Sequence, residues 1–311
     1  MGRLLKRGFW IFVISYGIYL ILISLVSSSK KYTIDPYYSK LLSTHSGSLI
    51  LGTSRAGQGI EPEILNNGNY LPFFNFAFTV GHTPYGDPYF DLITKKIASS
   101  EFSKRRVFIL SVDPWSLQGS KNSSFPETSY FTGGLKLPFL EPNLEYLIRF
   151  YENPLFGPYT TDSRSYNTIN GRKTFAPGFN QTPDPARLKL RLEEYSSWLE
   201  SKGDLSEKRM NSLETIVQFL QGYGQVVLVR IPVHEDFLYL ENSNFPKFDQ
   251  VIEERFPELP YLNYCFPRNS NKFQFTDGSH LTRSSGNHFS SILLDDLDSL
   301  FSMTHEPLIH E

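Results

Sequence analysis

The sequence predicts a three-layer α/β fold in which helices cover both faces of a parallel sheet of about five strands. Short apolar runs, which are typical of buried strands, recur at residues 49–51, 73–78, 106–112, 225–231 and 261–264. The chain between consecutive runs is long enough for a helical crossover, which parallel strands require. The 311 residues, 40% of them hydrophobic, can also bury one substantial core.

A membrane-spanning helix is predicted before the sheet, at residues 8–26. This stretch has no charged residue and is almost wholly apolar, and at about 1.5 Å per residue it just crosses a hydrocarbon core roughly 30 Å thick. Three basic residues lie within residues 1–7, and two follow at residues 30–31. The richer N-terminal cluster predicts a cytoplasmic N-terminus and an extracytoplasmic remainder. The alternative is a cleaved signal peptide, since the serines at residues 27–29 are small enough for a cleavage site.

The predicted domain follows a polar connector. The connector spans residues 27–47, the α/β domain is expected at residues 48–303, and a short tail follows at residues 304–311. Within the domain, residues 117–185 show no regular period and are rich in glycine, proline, tyrosine and asparagine. An irregular stretch of this length is usually a functional cap or a mixture of short elements. We therefore expect either a substrate-covering segment or plain surface decoration there.

Helical patterns fill the remaining connections. They occur at residues 88–97, 186–201, 205–221 and 247–255. Ser206 is a suitable N-cap for the third of these helices, and Gly222 is expected to end it. A last helix should begin at Leu281 and lie with its apolar face against the sheet.

The composition argues against several classes of function. A formal charge of −2 and the lack of a basic stripe give no reason to expect nucleic acid binding. The sequence has neither a glycine-rich phosphate loop nor a cluster of cysteines and histidines, so no cofactor and no metal are expected. Cys265 is the only cysteine, which excludes an intrachain disulfide. The aromatic residues, 15% of the chain, suit either core packing or sugar stacking.

The candidate for chemistry is a serine at the end of the first predicted strand. Residues 52–54 read Gly-Thr-Ser, which predicts a tight turn that presents Ser54 at the carboxyl edge of the sheet, where open α/β sheets bind ligands. A serine nucleophile needs a histidine base and a group that orients the histidine. Asp277 and His280 can supply both, because a carboxylate can bond one ring nitrogen and leave the other for the serine. The plainer alternative for His280 is a loop histidine with local hydrogen bonds.

With these motifs at its two ends, the predicted domain resembles the SGNH, or GDSL-like, hydrolase superfamily over residues 48–303. The first motif of that family, a nucleophilic serine directly after strand one, matches residues 52–54, and its last, Asp-x-x-His before the terminal helix, matches residues 277–280. The resemblance implies that Gly81, after strand two, offers its amide to an oxyanion. The third motif normally supplies an asparagine after strand three, but this chain has Asp113 there. An ionised carboxylate cannot donate a hydrogen bond, so Asp113 is expected to be structural or differently used.

Three further residues are candidates for offsetting negative charge or binding substrate. Arg55 directly follows the serine, whereas Arg230 and His234 follow the fourth strand, at the sheet edge expected to hold Ser54. For Arg230 and His234 the alternative is a solvated ion pair with the acidic residues at 235–236.

Within the superfamily, the chain looks most like membrane-anchored branches that act on cell-envelope polymers. Those branches are similar to the alginate O-acetylation proteins and the D-alanyl transfer protein of teichoic acids. The resemblance implies a Ser-His-Asp acyltransferase or esterase acting on a surface polysaccharide, with a multi-spanning membrane acyl donor as partner. Because Asp113 replaces the expected asparagine, the alternative is a non-catalytic envelope protein that binds polysaccharide or scaffolds an export complex.

Overall fold

The chain divides into two compact units in the computed structural model. The first unit comprises Met1–Thr44 and Leu135–Asn167, and the second comprises His45–Gly134 and Thr168–Glu311. The structure describes residues 2–30, 37–80, 85–97, 100–119, 136, 139–150, 165–176, 179, 182–202, 204–266 and 272–302.

The second unit is built on a five-stranded parallel sheet, as the sequence predicts. The strands of both units in chain order are β1 Ser48–Leu51, β2 Phe73–Asn75, β3 Val107–Ser111, β4 Ser165–Asn167, β5 Lys173–Phe175, β6 Gln225–Arg230 and β7 Tyr261–Asn263, of which β4 belongs to the first unit. The central sheet has the order β2-β1-β3-β6-β7, and every neighbouring pair is parallel. Each of the five predicted strands is therefore a strand of this sheet.

The strands of the central sheet are mostly apolar because residues on both faces of this sheet are buried. On one face, Ile109 and Val227 belong to the same apolar cluster as Leu293 from the C-terminal helix. Their chain neighbours Phe108 and Leu228 point to the opposite face, and both are also fully buried. A sheet buried on both faces favours continuous apolar runs over alternating ones, which is why the strands can be located in the sequence.

The predicted helices of the domain are present, with ends shifted by one or two residues. The helices in chain order are α1 Gly2–Lys30, α2 Tyr38–Leu42, α3 Ser54–Gly59, α4 Pro62–Leu65, α5 Asp87–Ile97, α6 Pro114–Leu117, α7 Leu144–Phe150, α8 Pro185–Lys202, α9 Glu207–Gln221, α10 Glu235–Asn244, α11 Phe248–Arg255 and α12 Arg283–Ser302. As predicted, Ser206 caps α9 by accepting from the Arg209 amide, and Gly222 is its C-cap. Helix α10 was not predicted from the sequence.

The N-terminal helix α1 is longer at both ends than the predicted residues 8–26. Its stretch Gly2–Leu22 is long and apolar enough to cross a membrane, by length and composition. Large apolar side chains on it, such as Phe9, Trp10 and Ile11, are more than half exposed. The described part of the chain thus contains one N-terminal helix with the length and the surface of a membrane span.

The first unit gives structure to a stretch that was expected to be a connector. Helix α2 lies within residues 27–47. The Tyr38 hydroxyl accepts from the Asn143 amide at 3.1 Å, and the Tyr38 ring centroid lies 5.4 Å from that of Tyr146. The connector therefore has ordered partners, and they come from the stretch that the sequence left without regular structure.

The strand order places the ends of β1 and β3 at a topological switch point. From β1 the chain moves outward to β2 and then returns past β1 to β3. Connections at such a point leave toward opposite sides, which opens a crevice beyond the carboxyl ends of the strands. Ser54 follows β1 and Asp113 follows β3. The hydroxyl of Thr53, the residue before Ser54, donates to the Asp113 carboxylate at 3.3 Å. The fold thus brings the candidate serine to the edge where ligands bind in such sheets.

Candidate active site

A tight turn after β1 presents Ser54 at the sheet edge. Gly52 has a φ of +131°, a backbone conformation that residues with a Cβ rarely adopt. Its backbone amide donates to the Tyr89 hydroxyl at 3.1 Å. A Cβ on Gly52 would also lie 2.8 Å from the Cβ of Ser111 on β3. Glycine is therefore required at this position. Helix α3 begins at Ser54, whose side chain remains partly exposed.

A second tight turn, just before α12, holds Asp277 and His280. The Thr276 amide donates to the His280 carbonyl at 2.8 Å, and Gly278 between them has a φ of +82°. The Asp277 carboxylate accepts from the His280 amide at 3.0 Å. This turn fixes the carboxylate and the imidazole relative to one another.

The structure brings the three side chains together in one hydrogen-bonded row. His280 Nε2 lies 2.8 Å from Ser54 Oγ, and His280 Nδ1 lies 2.9 Å from Asp277 Oδ2. The serine and the histidine are 226 positions apart in the chain. The histidine is thus bonded both locally and across the fold, so the purely local arrangement considered from the sequence does not describe it.

The charge on Asp277 determines where the imidazole carries its proton. Burial by itself raises the pKa of Asp277, but the adjacent His280, the charge of Arg191 and the amide of Ser279 outweigh burial and hold this pKa below its ordinary value. The carboxyl group is ionised at neutral pH and can only accept, so Nδ1 of a neutral His280 is the protonated nitrogen. Nε2 is then free to accept from the Ser54 hydroxyl, and it can remove that proton as the oxygen attacks.

Helix α8 packs over the turn that holds Asp277. Arg191 on this helix places its Nε 3.4 Å from Asp277 Oδ2. A Cβ added at Gly278 would lie 2.3 Å from Leu188 Cδ1, so the helix and the turn are in close contact. The packing leaves little room for the carboxylate to move.

Arg55 faces the interior and not the crevice. It is 3% exposed, its Nε donates to Ser279 Oγ at 3.2 Å, and its Nη2 lies 2.7 Å from Glu241 Oε1. Glu241 is fully buried and also accepts from Trp115 Nε1 at 2.7 Å and from Arg230 Nη2 at 2.9 Å. Burial by itself raises the pKa of Glu241, yet the two guanidinium groups lower it, so a buried carboxylate stays charged between two arginines.

Arg230 ends β6, at the sheet edge where the sequence placed it, but its guanidinium is buried. It is 1% exposed, its Nη1 lies 2.8 Å from both carboxylate oxygens of Asp249, and its guanidinium sits 5.0 Å from the centroid of the Phe248 ring. Its charge is paired with the buried Glu241 and the partly exposed Asp249, and not with the acidic residues at 235–236.

His234 lies next to Asp236, one of the acidic residues named in the alternative expectation. It caps α10, with Nδ1 accepting from the Asp236 amide at 3.3 Å. Its own amide donates to the Gly278 carbonyl at 2.9 Å. His234 therefore supports the turn that carries Asp277 through its backbone.

Asp113 is a helix cap. Its Oδ1 accepts from the Ser116 amide at 2.8 Å at the start of α6, and its Oδ2 accepts from the Thr53 hydroxyl at 3.3 Å. Burial raises the pKa of Asp113, although the nearby Arg55 opposes this. Both oxygens act as acceptors, so the side chain has the structural use that was one of its two expectations. Gly81, expected to offer an amide to an oxyanion, lies outside the described residues.

Two charged side chains of this site, Glu241 and Arg191, were not expected from the sequence. The acidic residues at 235–236 after His234 are a helix-start signal that would have located α10 and with it Glu241. Arg191 lies on a predicted helix, but no sequence signal shows which residue of that helix meets Asp277.

Comparison with known proteins gives no match, and the described residues contain no candidate metal site. None of the protein-family models, curated proteins or solved structures compared with this chain matches it. Among the described residues, no group of three or more histidine, cysteine, aspartate and glutamate side chains is placed to hold a metal ion. Inferences about function therefore rest on the side chains and their geometry.

Proposed function

We propose that this chain is a membrane-anchored serine acyltransferase or esterase that acts on acyl esters of an extracytoplasmic cell-envelope polysaccharide. The observation that carries the proposal is the row of Ser54, His280 and Asp277, with contacts of 2.8 and 2.9 Å. A serine hydroxyl bonded to a neutral imidazole, whose other nitrogen is held by a carboxylate, is the arrangement that makes serine a nucleophile. The resemblance to the SGNH hydrolase superfamily at residues 52–54 and 277–280 favours esters as substrates.

The reaction proceeds through an acyl-enzyme. Ser54 Oγ attacks the acyl carbonyl while His280 Nε2 takes its proton, and the departing alcohol then receives that proton from the imidazolium. A sugar hydroxyl, or water in an esterase, attacks the acyl-enzyme with His280 again as base, and the proton finally returns to Ser54. Asp277 remains ionised throughout and stabilises the imidazolium.

The first turn of α3 supplies a donor for the negative charge that develops on the carbonyl oxygen. The first hydrogen bond within this helix runs from the Gly57 amide to the Thr53 carbonyl at 2.9 Å, so the amides of residues 54–56 have no partner within the helix. The Ser54 amide is suited to donate to the oxyanion. The family resemblance implies Gly81 as the second donor, and Asp113 takes no part.

Helix α1 serves as the anchor in this proposal. Its stretch Gly2–Leu22 supports a single membrane span, and the basic residues within 1–7 favour a cytoplasmic N-terminus. The remainder of the chain then meets polysaccharide outside the membrane. A transferase also needs an activated acyl group from inside the cell, which a multi-spanning membrane partner would deliver.

Labelling of the detergent-solubilised full chain with a fluorophosphonate tests the proposal. The reagent should modify the wild type and fail to modify Ser54→Ala. Ser284→Ala is the matched control, because Ser284 is an exposed serine at the start of α12 whose side chain bonds Thr282. The Ser284→Ala protein should be labelled as strongly as the wild type. A folded wild-type protein that is never labelled would contradict the nucleophile assignment.

The acyl content of the surface polymer separates transfer from hydrolysis. Cells that carry Ser54→Ala should have less polymer acylation than wild-type cells if the enzyme is a transferase. They should have more if it is an esterase.

A second candidate function is a non-catalytic envelope protein that binds polysaccharide or scaffolds an export complex. It is favoured by Asp113, which presents two acceptors where the resembled family has an amide donor. Polysaccharide binding by folded wild-type protein that resists the fluorophosphonate would support this function over the first.

A further inference from the structure

A small basic recess is formed in part by residues that lie close in the chain to Ser54 and His280. It is lined chiefly by Gln58, Arg172, Lys173, Thr174, Leu281 and Arg283. Gln58 is four residues after Ser54 on α3, and residues with this spacing share one face of a helix. Leu281 directly follows His280. Two lining residues of the recess are therefore close in the chain to the two reactive side chains.

Arg172 forms the fixed wall of this basic recess. It is 2% exposed, its Nε donates to the Gln58 carbonyl at 3.0 Å, and its Nη1 donates to Asn287 Oδ1 at 2.6 Å. The same Nη1 also forms an ion pair with Glu61. The guanidinium is thus held by the protein, and its charge is compensated.

The other two cations of the basic recess are not compensated. Lys173 is partly buried, and its Nζ lies 5.5 Å from the centroid of the Phe175 ring. Arg283 is exposed. Within the described part of the chain, neither of the two forms an ion pair with a carboxylate. Burial lowers the pKa of Lys173, and no neighbouring charge raises it.

The two cations of the recess, which are unpaired within the described residues, favour an anionic ligand. Partial burial of an ammonium group without a counter-ion is unfavourable, and an anion from a ligand would offset that cost. The enclosed part of the recess measures about 20 Å³, which leaves room for little more than one water-sized group. One oxygen of a flat carboxylate enters such a space more easily than a tetrahedral phosphate. Gln58 and Thr174 are polar residues that also line the recess.

We propose that the basic recess binds a carboxylate of an acidic glycan, with Lys173 and Arg283 as its charged ligands. This inference rests on the proposed function, because it makes the carboxylate of one sugar the handle that brings a nearby acyl ester to Ser54. It narrows the substrate from polysaccharides in general to those that carry carboxylates. It also assigns a use to part of the stretch at residues 117–185, from which Lys173 comes.

The test measures binding in the full chain with Ser54→Ala, where no turnover interferes. Calorimetry should detect binding of a galacturonic acid hexamer and much weaker binding of maltohexaose, an uncharged hexamer. Adding Lys173→Met or Arg283→Gln should weaken hexamer binding by about tenfold each, the usual effect of losing a charge-assisted hydrogen bond. Lys173→Arg should retain it. Lys104→Met is the matched control, since Lys104 is an exposed lysine before β3, at the opposite edge of the sheet, and this change should leave binding intact.

Several results would overturn the proposal. The first is an absence of hexamer binding, and the second is an equal affinity of the Lys173→Met and Lys104→Met proteins for the hexamer. The third is displacement of the hexamer by glucose 1-phosphate at a lower concentration than by glucuronate. The last result would assign the recess to phosphate. Binding to Ser54→Ala needs no nucleophile, so a failure here leaves the fluorophosphonate result standing, and a failure of labelling leaves the binding result standing.

Discussion

Arg55 Nε donates to Ser279 Oγ at 3.2 Å, although the two residues are 224 positions apart in the chain. Arg55 follows the candidate nucleophile and Ser279 precedes the candidate base, so this bond joins the same two turns as the Ser54 and His280 contact. The guanidinium is in turn anchored on Glu241, which a second arginine also holds. The geometry of the candidate site therefore depends on buried charges that do not face the crevice.

Removing the charge of Glu241 should destabilise the protein strongly. Glu241→Gln leaves Arg55 and Arg230 as buried cations with one carboxylate fewer, and loss of one partner from a buried ion pair costs about 3–5 kcal/mol. Urea unfolding of the solubilised chain measures the change. Glu235→Gln, an exposed site on the same helix, should shift the free energy of unfolding by less than about 0.5 kcal/mol. Equal shifts in the two variants would show that the buried network contributes no special stability.

Gly52→Ala should disturb the turn that presents Ser54. The φ of +131° and the approach to Ser111 both oppose a Cβ, so we expect a loss of about 1–3 kcal/mol together with slower fluorophosphonate labelling. The control is Gly57→Ala, five residues later, where an added Cβ would meet its nearest neighbour, the Ala77 carbonyl oxygen, at an ordinary 3.6 Å. That variant should be as stable as the wild type or slightly more so. A harmless Gly52→Ala would refute the requirement for glycine.

Asp277→Asn should impair the nucleophile while leaving the fold in place. The amide keeps the shape of the carboxylate, but it can donate to His280 Nδ1 and so favours the tautomer that cannot accept from Ser54. In a serine enzyme this change lowers the rate by on the order of 10⁴-fold. The labelling rate measures the effect, and Asp236→Asn, an exposed carboxylate, serves as control. Labelling of Asp277→Asn at the wild-type rate would remove Asp277 from the mechanism.

The stability that Asp277 contributes should depend on pH in one direction. Its pKa is lower in the folded chain than in the unfolded chain, so the unfolded state binds the proton more tightly. The contribution is complete above the ordinary aspartate pKa of about 3.9 and is lost as the pH falls from there through the lowered pKa of the folded state. Denaturation of the wild type and Asp277→Asn at a series of pH values should show the difference in unfolding free energy shrinking below about pH 4. A difference that stays constant down to pH 2 would contradict the ionised, paired carboxylate.

The strands of the central sheet were predicted from the sequence, whereas helix α10 was missed because its apolar pattern is interrupted. Runs such as residues 225–231 reveal a strand because a sheet buried on both faces favours apolar residues at consecutive positions. Helix α10 buries Phe237 and Leu238 together with the charged Glu241. A buried glutamate breaks the apolar stripe that periodicity detects. It is tolerated only because Arg55 and Arg230 reach it from elsewhere in the chain.

The sequence by itself determined the strands, most helices and the turn after β1, because backbone preference and burial act over a few neighbouring positions. It also identified Ser54, Asp277 and His280 as residues of the right chemical types. Tertiary structure alone decided that the serine and the histidine meet at 2.8 Å, and that Arg230 faces the carboxylates of Glu241 and Asp249. The physical reason is that the environment of a charged or reactive side chain depends on what packs around it, and here those neighbours come from distant parts of the chain.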